Sequence, residues 1–255
     1  MVRVALMGYG KAGKAVANVL RSDPRFELCW VARRNADPGS FIEDLPELPD
    51  APRVPLVGLN GLNLDDWMDR HPVDAIVDFS RAETLYRYGE AVRQRGLMLV
   101  SAISAYPQEH LDYLRRLGES VWVMASPNIT LGINFLMLAA RMLRGIAPFA
   151  DVEIVEQHFR EKPEISGTAM RLAEALDLHD ERVTSLRLGG VVGHHEVLFG
   201  FPHQTVRLIH ESIRREAFGT GAAFALSELA ECPPGFYTFD DLLMRKIKAQ
   251  LLAMA

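Results

Sequence analysis

The sequence predicts an α/β protein, a doubly wound parallel sheet followed by a second domain of α+β type. Three observations predict it. Short apolar runs alternate with helical periodicity from Val2 to Ala125, a glycine-rich turn joins the first run to the first helix, and the texture changes near Pro127 to helices followed by strands. A chain of 255 residues suits one large domain or two modest ones. Its 49% hydrophobic and 24% charged residues are a globular balance, which excludes disordered, collagen-like and coiled-coil readings.

The elements follow in order. Val2 to Met7 reads as a buried strand, Gly8 to Gly13 as a turn, and Lys14 to Arg21 as a helix with apolar positions at Val16, Val19 and Leu20. Phe26 to Ala32 is a second strand. After an irregular, proline-rich stretch from Asp37 to Pro55, the segment Ala75 to Phe79 is apolar enough to be a strand buried on both faces. Helices at Glu83 to Arg93 and Glu109 to Leu117 alternate with strands at Leu97 to Val100 and Val121 to Ala125. Beyond Pro127, a helix from Asn134 to Arg144 leads to a strand at Val152 to His158, a charged loop and a helix from Thr168 to Leu176. Antiparallel-looking strands follow at Val183 to Leu188, Glu196 to Phe199 and Thr205 to His210, and the tail from Glu216 to Ala255 reads as helical, returning to the first domain. The expected division is 1–126 with 216–255 against 127–215.

Charge and cysteine usage narrow the partners. A formal net charge of -5 leaves no basic excess to neutralise phosphates along nucleic acid or to hold an anionic membrane. The two cysteines, Cys29 and Cys232, share no C-x-x-C spacing, which fits a reducing cytoplasm. Apolar stretches such as Phe135 to Ala140 are far shorter than a membrane span, and the apolar N-terminus breaks at Gly8 before a signal peptide is complete. The expectation is a cytoplasmic protein acting on a small molecule.

Gly8-Tyr9-Gly10-Lys11-Ala12-Gly13 fits G-x-G-x-x-G between a strand and a helix. Such a turn needs glycine for tightness, for close approach of backbone to a pyrophosphate, and for helix–strand packing, so the first domain is expected to be a Rossmann-type dinucleotide-binding domain. Where an NAD site places a carboxylate for the ribose 2′-hydroxyl, this chain has Arg33 and Arg34. Two guanidiniums suit the 2′-phosphate of NADP, so NADPH is the expected cofactor, with NADH an open alternative.

The stretch from Glu156 to Thr168 ends a strand, crosses a charged loop and enters a helix. Period-two alternation places Glu156 and His158 on one face. His158 suits a proton donor near neutrality, Lys162 can neutralise an anion or pass a proton, and Ser166-Gly167-Thr168 opens a helix whose free N–H groups would receive a carboxylate. His194 and His195 are adjacent on a strand and point to opposite faces, so they are poor joint metal ligands. No metal site is expected, and His203, His210 and Met98 read as packing or surface groups.

Glu156 to Ala169 resembles the signature E-A-H-H-R-H-K-V-D-A-P-S-G-T-A of the dihydrodipicolinate reductases of bacterial lysine and diaminopimelate synthesis. The resemblance continues through Val77-Asp78-Phe79-Ser80 (family I-D-F-T), Pro127 to Asn134 (A-N-F-S-x-G-V-N), Arg187 to His195 (R-x-G-x-I-V-G-x-H) and Arg215 to Phe218 (R-x-x-F). It implies a homotetramer formed through the substrate domain and a catalytic pair, His158 and Lys162. Substrate contacts are implied at Phe159, Ser166, Gly167 and Thr168. Cofactor contacts are implied at Phe79, Ser80, Ala102, Ile103, Ser104, Ser126, Pro127, Asn128 and Ile129, beside the glycine turn. By the resemblance, the reaction is hydride transfer from NADPH to a conjugated cyclic imine bearing carboxylates, with a proton from His158.

The sequence departs from the family pattern at three places. The second histidine of the signature is Phe159, its D-A-P is shortened to Glu164-Ile165, and the cofactor loop G-T-T-G corresponds to Ala102-Ile103-Ser104-Ala105. Two alternatives stay open at this point: a diverged paralogue reducing another imine, and a catalytically silent NADP-binding sensor. Only a reductase needs His158 paired with Lys162.

Overall fold

In the computed structural model, which describes residues 1–46 and 51–254, the chain forms two compact units, Met1–Thr130 with Phe218–Ala255, and Leu131–Ala217. Residues 47–50 of the expected irregular stretch and the last residue of the expected helical tail lie outside the described residues.

The first unit is built on a parallel sheet in the order β11-β6-β5-β4-β1-β2-β3. Its strands are β1 (Val2–Met7), β2 (Phe26–Arg33), β3 (Leu56–Gly58), β4 (Ala75–Asp78), β5 (Met98–Ser101), β6 (Trp122–Ala125) and β11 (Gly235–Tyr237). Helices α1 (Lys11–Ser22), α2 (Leu64–Arg70), α3 (Leu85–Arg95) and α4 (Gln108–Gly118) connect them. Because β1 pairs with β2 on one side and β4 on the other, strand order reverses at β1, and a crevice is left at its carboxyl end. The central strands are mostly apolar, as a sheet covered on both faces requires: every residue of β4 is buried, Asp78 at its end included. Trp30 and Tyr88 are fully buried in this core, and the indole N–H of Trp30 donates to the His71 carbonyl at 3.1 Å. Burying such a ring contributes on the order of 3 kcal/mol, provided its polar atom is satisfied.

Two expectations are corrected here. The tail is not helical throughout: Pro233-Pro234 ends α7 (Glu216–Ala230), β11 adds an edge strand beside β6, and α8 (Phe239–Met254) follows. Residues 56–74, to which the sequence reading assigned nothing, supply β3 and α2, the latter capped by Asn63, whose side chain accepts from the Asp66 N–H at 3.3 Å.

The second unit is a four-stranded sheet in the order β10-β9-β7-β8, formed by β7 (Asp151–His158), β8 (Val183–Arg187), β9 (His194–Phe201) and β10 (Gln204–Glu211). Helices α5 (Leu131–Ile146) and α6 (Gly167–Ala175) supply the apolar partners of one face, among them Ile133, Leu136, Leu172 and Ala173 packed in one core with Ile154, Val197 and Phe199. The strands are not all antiparallel as expected: β7 and β8 pair in parallel, because α6 carries the chain back across the sheet between them.

Alternation along β7 sets up the chemistry. Val152, Ile154, Glu156 and His158 are the buried set, so the row that begins as hydrocarbon ends as a carboxylate and an imidazole on the core side. The opposite face of this sheet is open, with Leu186 39% and Ile209 54% exposed.

Candidate functional site

At the carboxyl end of β1 a groove of about 590 Å³ opens, lined by Gly8, Tyr9, Gly10, Arg33, Arg34, Phe79 and Ser80, with Asn35, Asn60, Arg81, Glu83 and Arg87. The glycines of the turn have separate tasks. Gly8 has φ +96°, and a Cβ there would stand 2.6 Å from the Phe79 carbonyl oxygen, while a Cβ on Gly13 would stand 2.1 Å from the carbonyl oxygen of Gly8. Gly10, by contrast, faces open space: a Cβ there meets nothing within 4 Å. Gly10 also caps α1 without any side-chain hydrogen bond, which leaves the first-turn N–H groups available to an anion. Four arginines against one glutamate give the groove a cationic lining, and among the described residues Arg33 and Arg34 have no carboxylate partner. A cradle that only glycine keeps open, beside unpartnered guanidiniums, fits a dinucleotide.

The remaining expected cofactor residues share this edge of the sheet. Lys11, Ala12 and Gly13 form the first turn of α1, Ala102, Ile103 and Ser104 follow β5, and Ser126 to Ile129 follow β6. They lie beyond the groove lining, in α1 and after the next strands along. Asp78, at the end of β4, is fully buried and accepts from the Ser80 N–H at 2.7 Å, the Ser80 hydroxyl at 2.6 Å and the Tyr88 hydroxyl. Burial pushes its carboxyl up to about 6, against the pull of those hydrogen bonds. Asp78 thereby holds Ser80 on the groove wall, a role that no sequence spacing announced.

The second unit gathers the polar segment. Glu156 is 0% exposed, and its two oxygens are divided. Oε1 accepts from Arg187 Nη2 at 2.9 Å, the Ser185 hydroxyl at 2.7 Å and the Ser166 N–H at 3.1 Å; Oε2 lies 2.5 Å from His158 Nδ1. Burial would raise this carboxyl, but the Arg187, Ser185, His158 and Ser166 bonds outweigh it and hold it at about 2. Arg187 also donates to the carbonyls of Lys162 at 3.0 Å and Glu164 at 2.7 Å, so the loop between β7 and α6 is fastened to β8.

Ser166 begins α6 but does not cap it. Its hydroxyl pairs instead with His195 Nε2 at 2.8 Å, and the helix N-terminus at Gly167 and Thr168 is left without a side-chain cap. The His195 ring meets that of His158 edge-on at 5.3 Å, and burial pushes its pKa down to about 4, helped by His158 and His210. Lys162 is half-buried with no carboxylate within ion-pair distance among the described residues, and Phe159 is 41% exposed.

Glu156 and His195 thus link His158 to Ser166 at the start of α6, and Arg187 ties the backbone of the loop that carries Phe159 and Lys162 to the same carboxylate. The sequence reading missed Ser185, Arg187 and His195 as members of this cluster. Alternation along β9, which puts His195 in the row of Val197 and Phe199, was the available signal for the last. Among the described residues, no three His, Cys, Asp or Glu side chains gather as a metal site, and no helix is long and apolar enough to cross a membrane.

Comparison with known proteins gives a consistent result. Residues 2–129 match the family described as dihydrodipicolinate reductase, N-terminus, and residues 129–243 match dihydrodipicolinate reductase, C-terminus. A 4-hydroxy-tetrahydrodipicolinate reductase of Thermosipho africanus is 32% identical over 95% of this chain and 98% of its own. The corresponding protein of Caldanaerobacter subterraneus is 28% identical over 96% of this chain and 99% of its own. Among solved structures, dipicolinate-bound dihydrodipicolinate reductase from Paenisporosarcina sp. TG-14 superposes with a TM-score of 0.76 at 24% identity, covering 93% of this chain and 97% of that one.

Proposed function

The chain belongs to the dihydrodipicolinate reductase family, an oxidoreductase family, and from that premise we propose that it reduces a conjugated cyclic imine bearing carboxylates, 4-hydroxy-tetrahydrodipicolinate, with NADPH. The observation that carries the reading is His158, held through Glu156 to an uncapped helix start, on the strand–loop–helix segment that also carries Lys162.

When bound, a pyridine nucleotide would supply hydride from C4 of its nicotinamide. The protein's own residues do the rest. The N–H groups of α1 and the open face of Gly10 receive the pyrophosphate, and Arg33 with Arg34 receives the 2′-phosphate. Phe79, Ser80, Ala102 to Ser104 and Ser126 to Ile129, at or after the ends of neighbouring strands, would hold the rest of the nucleotide. Gly167 and Thr168 grip a substrate carboxylate through helix N–H groups, which orients the ring, and Lys162 balances its charge. As hydride forms a C–H bond at one end of the conjugated system, His158 gives a proton to the electron-rich carbon that results.

Phe159 favours a second reading for the substrate alone. An exposed phenyl ring cannot donate to a carboxylate, and Glu161 and Glu164 add negative charge to the same loop, so a cyclic imine with fewer carboxylates would suit this segment better. The open sheet face with Leu186 and Ile209 supports assembly as a homotetramer through the second unit, which sedimentation measures. Two unpaired cysteines, Cys29 and Cys232, support a cytoplasmic setting. The functional test is NADPH oxidation with freshly generated 4-hydroxy-tetrahydrodipicolinate beside a panel of monocarboxylate imines. Turnover of the first at the fastest rate supports the proposal, and turnover of none rejects it.

A further inference from the structure

We infer that Glu156 is a positioning residue for His158, holding the ring by Nδ1 so that Nε2 is the atom that delivers the proton. The inference rests on the reading of His158 as the acid. Its geometry is independent of the substrate.

The carboxylate comes first. An ionised carboxylate only accepts, so the atom 2.5 Å from Glu156 Oε2 must be a donor, and His158 carries a proton on Nδ1 in the neutral ring as well as in the imidazolium. Glu156 is ionised because its other oxygen already takes three donors, from Arg187, Ser185 and the Ser166 N–H. A carboxylate so fully used cannot rotate, and it meets the ring in one orientation.

Nε2 is then left on the other side. Among the described residues it has no hydrogen-bond partner, and the residue facing it is Gly193: a Cβ there would stand 3.2 Å from Nε2 and 3.6 Å from Cδ2. Glycine at this position keeps the face of Nε2 clear. When the proton leaves, the Nε2–H bond breaks, the pair stays on Nε2, and a new bond to hydrogen forms at the carbon made electron-rich by hydride addition. The ring remains a neutral Nδ1–H tautomer, still bonded to Glu156.

The charged and titratable groups around His158 are Glu156 on its own strand, Arg187 opposite it on β8 and His195 on β9, with Lys162 on the following loop tied to Arg187 by its carbonyl. Burial pushes His195 down to about 4, so near neutrality its ring adds no charge beside His158. Glu156 is therefore the one anion in the set, and the one acceptor for the Nδ1 proton.

Glu156→Gln separates this role from mere packing. The three donors at Oε1 would claim the amide oxygen, which leaves the amide NH2 pointing at Nδ1. A donor there forces the neutral ring into the opposite tautomer and opposes the imidazolium. The experiment records the 15N spectrum of labelled protein for His158 in wild type and variant, with kcat, KM and NADPH affinity alongside. The expected result is an Nδ1–H neutral ring in wild type, an Nε2–H ring in the variant, and a fall in kcat of roughly 10²–10⁴ with KM and NADPH affinity within threefold.

An Nε2–H ring in the wild-type protein overturns the assignment, and that measurement needs no variant to fold. Unchanged kcat in a folded Glu156→Gln protein overturns it too. If wild-type protein reduces no imine, the proposed activity fails, while the two tautomers still decide whether Glu156 orients the ring.

Discussion

A methyl group on Gly10 and one on Gly13 should have opposite effects on binding and stability. At Gly10 the backbone is extended, with φ -84° and ψ -166°, and a Cβ meets nothing within 4 Å. Alanine therefore fits the folded chain and, by narrowing the unfolded ensemble, stabilises it by roughly 0.4–1 kcal/mol. The space it takes is the space a pyrophosphate needs. Losing one charge-assisted hydrogen bond at roughly 1.5–3 kcal/mol weakens nucleotide binding by roughly 10–150-fold at 1.4 kcal/mol per tenfold. At Gly13 the added atom would stand 2.1 Å from the Gly8 carbonyl oxygen, so the turn must open. Overpacking of that kind costs roughly 1–3 kcal/mol, which lowers Tm by roughly 2–12 °C in a chain of this size. Calorimetric titration with NADPH and thermal melts of ligand-free wild type, Gly10→Ala and Gly13→Ala read both effects. Wild-type NADPH affinity in Gly10→Ala refutes the placement of the pyrophosphate, and equal loss of Tm in the two variants refutes the division of labour within the turn.

Three further outcomes are expected. Replacing Arg33 and Arg34 together by alanine abolishes the preference for NADPH over NADH and leaves NADH affinity within about threefold, because the lost partners are those of the 2′-phosphate alone; an unchanged ratio of the two dissociation constants sinks the assignment. His158→Gln and Lys162→Met each lower kcat by roughly 10²–10⁴ without weakening NADPH, and full turnover in the double variant rejects the mechanism. Glu156 sits at about 2 in the folded protein against an ordinary 4.5, so it stabilises the fold above pH 4.5 and that contribution drains away as pH falls toward 2. The difference is worth roughly 3 kcal/mol, and urea unfolding from pH 5 to pH 2 should show a shallower loss in Glu156→Gln than in wild type, equal losses being the contrary result.

The parts of the structure that were legible in the sequence are those whose cause is local. The spacing of Gly8, Gly10 and Gly13 is complete within six residues, although the carbonyl that crowds Gly8 is that of Phe79, and residues 4–7 and 75–77 are apolar because both sheet faces are covered. His158 and Lys162 stand four apart on one segment, so the sequence alone marks them as neighbours. What escaped is non-local or too short to carry a period. Three residues, Leu56–Gly58 or Gly235–Tyr237, cannot display alternation, and each becomes a strand only because a neighbouring edge offers hydrogen bonds. Arg187 and Ser185 join Glu156 through the parallel register of β7 with β8, in which Glu156 faces Ser185 and His158 faces Arg187. His195 enters through the antiparallel register that sets it opposite Glu156. Strand pairing across some thirty to forty residues leaves no mark in periodicity.

The bonds from Arg187 to the loop end on the carbonyl oxygens of Lys162 and Glu164, atoms that every amino acid possesses. The frame of the loop therefore does not depend on which side chains it carries, and positions 159 to 165 are open to mutation without loss of the scaffold that presents them. Phe159, Glu161 and the shortened Glu164-Ile165 are changes of the kind such a frame tolerates. A lineage can exchange the groups that meet the substrate one at a time while His158 and the helix start stay where they are. New substrate preferences are then reachable through folded intermediates.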